Sequence, residues 1–186
     1  MKFLTDIRLL LLGLWLGAAV FFIGVAQTAF AVLPQRELAG AVVGRTLTIL
    51  NFAGLAIAVL LLLLSAVAAR NSRKLLLWLD RSLLVIVALA CAVGQFVIGF
   101  WLATVRAQMG GRPIDELAVD DPLRIQFNQL HEYSVWVLFT GMVAALIAFF
   151  VIANRVRSGS AVAAATSPSS ASTSDPFDFS KPFKKT

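Results

Sequence analysis

Cysteine, histidine and tyrosine each occur once in the 186 residues, and charged side chains make up only 14%. The lone Cys91 excludes an intrachain disulfide framework and every paired-cysteine metal motif. The lone His131 excludes a haem held by two histidines and the His-pair zinc motifs. Soluble domains carry about 25% charged and 45–50% apolar residues. Here 59% are hydrophobic, and the mean hydropathy is +0.86. Both departures run the same way, and they exclude an ordinary water-soluble enzyme. No stretch between apolar runs is long enough for a separate soluble domain, which needs about 50 residues.

What is present is four runs without Asp, Glu, Lys or Arg: 9–35, 46–69, 82–105 and 133–154. About 20 apolar residues cross a ~30 Å hydrocarbon core as a helix. The runs therefore predict spans at about 9–33, 46–69, 82–105 and 133–154. Pro34 ends the first, and 35–45 reads as a short connection. Helix three is expected to start before its run, at Leu75–Leu79, and helix four to start from Pro122.

The net charge of +6 is a topology signal rather than a nucleic-acid footprint. Lys2, Arg8, Arg70, Arg73, Lys74, Arg81, Arg155, Arg157, Lys181, Lys184 and Lys185 fall on one side of the spans. Only Arg36, Arg45, Arg106, Arg112 and Arg124 fall on the other. Lys and Arg concentrate in cytoplasmic loops. Both termini are thus expected in the cytoplasm, with the net acidic 106–132 loop outside. In a bacterium the location is the inner membrane. A rival reading makes the first span a secretory signal cleaved after Ala29-Phe30-Ala31. Signal cores run about 7–15 residues, and the longer Leu9–Ala26 run favours an anchor.

Residues 1–157 thus form the membrane domain. Residues 158–186 read as a disordered Ala/Ser/Thr-rich tail that ends in a Phe/Lys segment. Small residues four apart let helices approach closely in lipid. On that rule Gly13, Gly17, Gly40 and Gly44 are the expected packing positions.

Polar side chains gather at compatible depths in the outer half. Gln27 and Thr28 lie in helix one, Asn51 in helix two, Gln95 in helix three, and His131 and Ser134 in helix four. An unpaired amide in hydrocarbon costs several kcal/mol, so these groups face one another, the bundle interior or water. One reading is interhelical hydrogen-bond glue. The other is a small outward cavity in which His131 is the only group titrating near neutrality. The charge-free runs hold no deep acid or base, which argues against a proton pump or an ion-coupled transporter.

His131 is the one imidazole open to a metal. Cys91, Met109 and Met142 are soft donors suited to Cu(I), but they occur singly. Cys91 and Gln95 share a helix face at i, i+4. Ser134 has only His131 as a base, with no orienting carboxylate unless Glu132 turns back. Neither an enzyme nor a bound cofactor is expected.

Trp15-Leu-Gly17, Phe21-Phe22, Phe30, Leu33-Pro34, Ala39-Gly40 and Gly44 form one block. Phe127-x-x-Leu130-His131-x-x-Ser134 forms another. Together they resemble the four-helix membrane family of the domain of unknown function 4149, which includes transmembrane protein 205. The resemblance covers about residues 5–155. It implies a four-span bundle of unestablished activity, with Phe127, Leu130, His131 and Ser134 as motif positions. More remotely the pattern is similar to the copper-resistance D type of membrane domain, which implies metal passage.

The expected architecture is an all-α, up-down-up-down bundle of four transmembrane helices with both ends inside. The expected function is non-catalytic: an accessory or self-associating subunit whose partners are the bilayer and other membrane chains or itself, with no nucleic acid. The alternative is small-solute or copper-like metal handling through the polar cavity around His131.

Overall fold

The computed structural model describes residues 2–67, 74–110 and 112–166, with side chains over 3–66, 77–110 and 112–154. Five α-helices follow in order: α1 (Lys2–Val32), α2 (Arg36–Val67), α3 (Lys74–Ala92), α4 (Gly99–Gln108) and α5 (Pro122–Thr166). A π-helical turn, Val93–Ile98, joins α3 and α4 into one continuous rod. Four segments are long and apolar enough to cross a membrane: Phe3–Val32, Arg36–Ala66, Leu77–Gln108 and Pro122–Asn154.

α1 packs on α2 and α5, and the α3–α4 rod packs on the same two helices, so the four rods close into a ring. Close pairs fix the directions. Ser65 meets Arg81, Cys91 and Trp15 approach Gly54, Asn51 faces Gly94, and Arg106 lies over Gly40. As residue numbers fall along α2 they rise along the rod, so the two run antiparallel.

The helix ends follow from local chemistry. Pro34 follows α1, and the Leu33 N–H still donates to the Ala29 carbonyl at 3.0 Å. Asp121 caps α5 by accepting from the Leu123 N–H at 2.8 Å, with Pro122 in the first helical position. Gly110 takes φ +64°, the left-handed turn that lets the chain leave α4.

Two stretches differ from the sequence reading. Residues 36–45 are helix rather than connection, because Ala39 and Val43 are buried and hold that stretch against the bundle. The chain between α1 and α2 shrinks to residues 33–35. α5 runs past Ser158 to Thr166, into the segment read as a tail. Arg70, Arg73 and the Phe/Lys end at 175–186 lie outside the described residues.

The core mixes small residues with Leu12, Trp15, Leu61, Leu84 and Ile152, and many large apolar residues face outward. Ala19, Ala58, Ala144, Ala145 and Ala148 are buried, while Leu14, Phe21, Leu63, Phe100 and Phe150 are exposed. An apolar outer face is what a lipid solvent permits, since dispersion packing rather than burial from water draws the helices together. At the end of the bundle where α1 begins, Arg8 donates to Asp80 at 2.7 Å. Asp80 is 0% exposed and Arg8 6%. Arg81, counted from sequence as a topology charge, donates to the Ser65 carbonyl on α2 at 3.1 Å. We call this the terminal end and the opposite one the connection end.

Trp15, 3% exposed, sits at mid-height. Its indole N–H donates to the Leu50 carbonyl at 3.1 Å. A Cβ on Gly54 would collide with the Trp15 ring and stand 2.7 Å from Cys91 Sγ; one on Gly141 would stand 3.7 Å from the ring. The missing side chains at Gly54 and Gly141 make the room this indole occupies.

Candidate functional site: a cavity with an arginine mouth

Above Trp15, toward the connection end, the four rods enclose a cavity of about 1050 Å³. Gln27, Asn51, Gln95, His131 and Ser134 all line it, contributed by α1, α2, the π turn and α5. The depth argument thus brought five of six polar residues to one space. Thr28 is the exception: it is exposed outside the lining, and its hydroxyl donates to the Gly24 carbonyl of its own helix at 2.8 Å. Adjacent residues on a helix point about 100° apart, so Gln27 and Thr28 share a depth but not a face.

The π turn shapes one wall. It carries Gly94 and Gln95, and the Gly99 N–H reaches back to the Gly94 carbonyl, five residues earlier. Single π turns inside α-helices accompany functional sites. Gly94 lets the Asn51 amide stand 3.2 Å from where a Cβ would be. Asn51 is 5% exposed and has no hydrogen-bond partner among the described residues. Its amide opens on the cavity, where a polar atom of an occupant can bond it.

The remaining polar groups differ. The Ser134 hydroxyl donates to the His131 carbonyl at 2.7 Å and is therefore occupied. His131 is exposed to the cavity space. Cys91 does not share a wall with Gln95; it lies buried against Gly54 and is absent from the lining. Met109 and Met142 do line the cavity. Among the described residues no three His, Cys, Asp or Glu side chains gather as a metal site requires.

The mouth is built from residues that the sequence reading used only for topology. Arg36, Arg45, Arg106, Arg112 and Arg124 line it, with Glu37 and Asp115. Arg36 pairs with Asp115 at 3.2 Å in the open. Arg124 donates to the Leu117 carbonyl at 2.7 Å, and Arg112 to the Met109 carbonyl at 3.4 Å. The Arg106 guanidinium lies 5.3 Å from the Phe127 ring centroid, a cation–π contact that explains Phe127 in the motif. Leu130 packs against the small cluster of Val105, Met109 and Leu117 that anchors the 109–121 loop.

The loop's net acidity is thus sorted by the fold. Its arginines line the cavity, while Glu116, Asp120, Asp121 and Glu132 do not. One signal was available in the sequence: every basic residue predicted on this side is Arg, and all five lysines fall elsewhere. Arg, with its planar fork of donors, is the side chain suited to carboxylate and phosphate.

A Cβ on Gly13 would stand 3.6 Å from Phe149 and one on Gly40 3.5 Å from Arg106, whereas one on Gly17 or Gly44 would meet no neighbouring helix within 4 Å. The close approaches within the chain are at Gly54, Gly94 and Gly141 instead, each a single glycine opposite a side chain on another helix.

Four membrane-crossing rods around a half-depth cavity define a polytopic helical membrane protein. Residues 10–111 match the family model described as a domain of unknown function (DUF4149), more than half of the chain, and the chain belongs to that family. The match takes in α1, α2 and the α3–α4 rod; the Phe127–Ser134 motif on α5 lies beyond it. No curated protein and no solved structure matches this chain.

Proposed function

We propose that this protein binds a small solute in the connection-end cavity and handles it within the membrane without catalysing a reaction. The observation that carries the reading is the Asn51 amide: unpartnered among the described residues, on a side chain held within the bundle, and open to a cavity that four other polar side chains share. Hydrogen-bond glue would join these side chains across helices, and among the described residues the one bond within the five, Ser134 to the His131 carbonyl, stays inside α5. The excess of Lys and Arg around the terminal end supports a cavity opening outward, with both termini cytoplasmic. In a bacterium that means the inner membrane. The occupied Ser134 hydroxyl supports a non-catalytic role, because a nucleophile needs a base at its own oxygen. Copper-like cargo is disfavoured by charge: guanidinium groups around the mouth repel a cation.

The test is native mass spectrometry, with metal analysis, of the full chain extracted gently from its own membranes. A retained small molecule that disappears in Gln95→Leu/His131→Leu, at unchanged protein level, supports the cavity. Solute retention unaltered by that double variant overturns it.

One observation favours a second reading, an accessory or self-associating subunit. Gly17 and Gly24 lie seven residues apart on α1 with open space above both, as a helix from another chain would require. Partner chains or oligomers in the same spectra, with an empty cavity, support that role.

A further inference from the structure

We infer that the cavity's ligand is an amphiphile with an anionic head, a carboxylate or phosphate, held at the arginine mouth while its apolar tail lies along the cavity wall. The inference rests on the cavity reading above and names its ligand class. Charge comes first. Of the five arginines at the mouth only Arg36 has a carboxylate partner. Arg112 and Arg124 are steadied by backbone carbonyls, which fix a guanidinium without cancelling its charge. Arg106 lies on Phe127, and Arg45 has no partner among the described residues. Glu37 is the one lining acid left over. Four guanidinium groups without carboxylates, gathered from α2, α4, the loop and α5, form a field that selects an anion.

Shape comes second. Arg124 and Met142, both in the lining, are eighteen residues apart on α5, so the cavity extends about 27 Å along the bundle at ~1.5 Å per residue. Below the arginines the wall is mainly apolar, with Phe22, Leu47, Ile98, Leu138, Phe139 and Met142. A compact free anion would leave most of that wall empty, and an uncharged hydrocarbon would leave the guanidinium groups unanswered. A long molecule charged at one end satisfies both. The Asn51 and Gln95 amides lie at its far end, where they can meet an oxygen carried along the chain.

The experiment uses the full-length chain in a neutral maltoside detergent, with oleate, oleyl alcohol, phosphatidylglycerol, phosphatidylcholine and inorganic phosphate as probes. Binding is read by native mass spectrometry and by the rise in unfolding temperature that a native-state ligand produces. Oleate or phosphatidylglycerol is expected to bind, and which of the two binds more tightly separates a free acid from a bilayer lipid. Arg45→Gln, at an exposed and unpartnered position, is expected to weaken that binding about tenfold, as the loss of one charge-assisted bond implies. Arg45→Gln/Arg106→Gln weakens it further, Glu37→Gln strengthens it, and added salt weakens it.

Equal binding of oleyl alcohol or phosphatidylcholine, unaffected by Arg45→Gln, overturns the anionic head. Inorganic phosphate binding as tightly as the amphiphiles overturns the tail. In either case a bound probe that Gln95→Leu/His131→Leu removes leaves the cavity reading standing. A cavity that takes none of the probes and releases no native solute sinks both.

Discussion

At the terminal end Asp80 is wholly buried and takes Arg8 at 2.7 Å, while at the connection end Asn51, almost as buried, has an amide with no partner. Both residues are withdrawn from solvent, but the ion pair lies in closed core, with Asp80 Oδ1 and Arg8 Nε left without a bond, whereas the Asn51 amide opens on a cavity. The ion pair ties α1 to α3 across the ring, and leucines, alanines and Ile152 pack between it and Trp15. The amide ties nothing; it faces a cavity left open beside it. One half of the bundle uses buried polarity to hold helices, and the other holds it ready for something else. Trp15 divides the two, and its indole fills the space that Gly54 and Gly141 leave.

Breaking the terminal half is expected to have the largest effect. Removing one member of a buried ion pair strands the other and costs about 3–5 kcal/mol, whereas replacing both with apolar groups is often neutral. Asp80→Asn is therefore expected to lower the unfolding free energy in detergent by about 3 kcal/mol. Arg8→Met/Asp80→Leu is expected to recover most of it. A steric-trapping or thermal-unfolding measurement checks both. Equal stability of Asp80→Asn and the parent chain would show that the pair does not hold α1 against α3.

The divider comes next. A Cβ on Gly54 would sit 2.7 Å from Cys91 Sγ and press on the Trp15 ring. Overpacking of that kind costs about 1–3 kcal/mol. Gly54→Ala is expected to lose that much, with part restored by Cys91→Ala, and the same unfolding measurement reads it. An unfolding temperature untouched by Gly54→Ala would mean that the centre of the bundle relaxes freely and is no divider.

How far this difference could be read from sequence follows from what depth encodes. The charge-free runs located the four spans, and counting along them brought Gln27, Asn51, Gln95, His131 and Ser134 to compatible heights. Rotation was beyond that count, and Thr28 turned away. The π turn at Val93–Ile98 leaves no pattern in residue type, so the shared face of Cys91 and Gln95 was drawn on a helix that does not continue regularly. Asp80 and Arg8 sit just outside the charge-free runs 82–105 and 9–35, which gave neither a place in the bundle, because a run marks where charge stops and not where the helix begins. The four-residue glycine rule describes two helices meeting glycine to glycine. Gly54, Gly94 and Gly141 act differently, each making room for a side chain on a neighbour, and only the neighbour identifies them.

Asn51→Leu sharpens the comparison by its sign. Leucine removes an unpartnered amide and adds apolar volume beside a cavity, so stability is expected to stay level or rise by about 1 kcal/mol. Retention of solute is expected to fall in the same sample. Asp80→Asn and Asn51→Leu then move stability in opposite directions, though each makes a buried residue less polar. A loss above about 1 kcal/mol in Asn51→Leu would make Asn51 a structural hydrogen-bonder, satisfied by water, and would bring the two halves into line.

The smallest effect is expected from the substitution most like Gly54→Ala in its chemistry. Gly44 lies ten residues earlier on α2, lines the cavity and has nothing within 4 Å of where a Cβ would stand. Gly17 has the same open space on the outer face of α1. Alanine at either position meets no neighbour, and the gain in helix propensity, up to about 1 kcal/mol, is the only term left. Unfolding of the detergent-dispersed monomer is thus expected to be unchanged or slightly improved in Gly44→Ala and Gly17→Ala. Gly17 carries a second consequence. Should a helix of another chain pack against α1, Gly17→Ala would weaken that association in the bilayer while leaving the dispersed monomer alone, and Gly44→Ala would do neither. Crosslinking in native membranes separates the two variants, because a cavity glycine and an interface glycine look alike to the folded monomer and differ only in what lies beyond it.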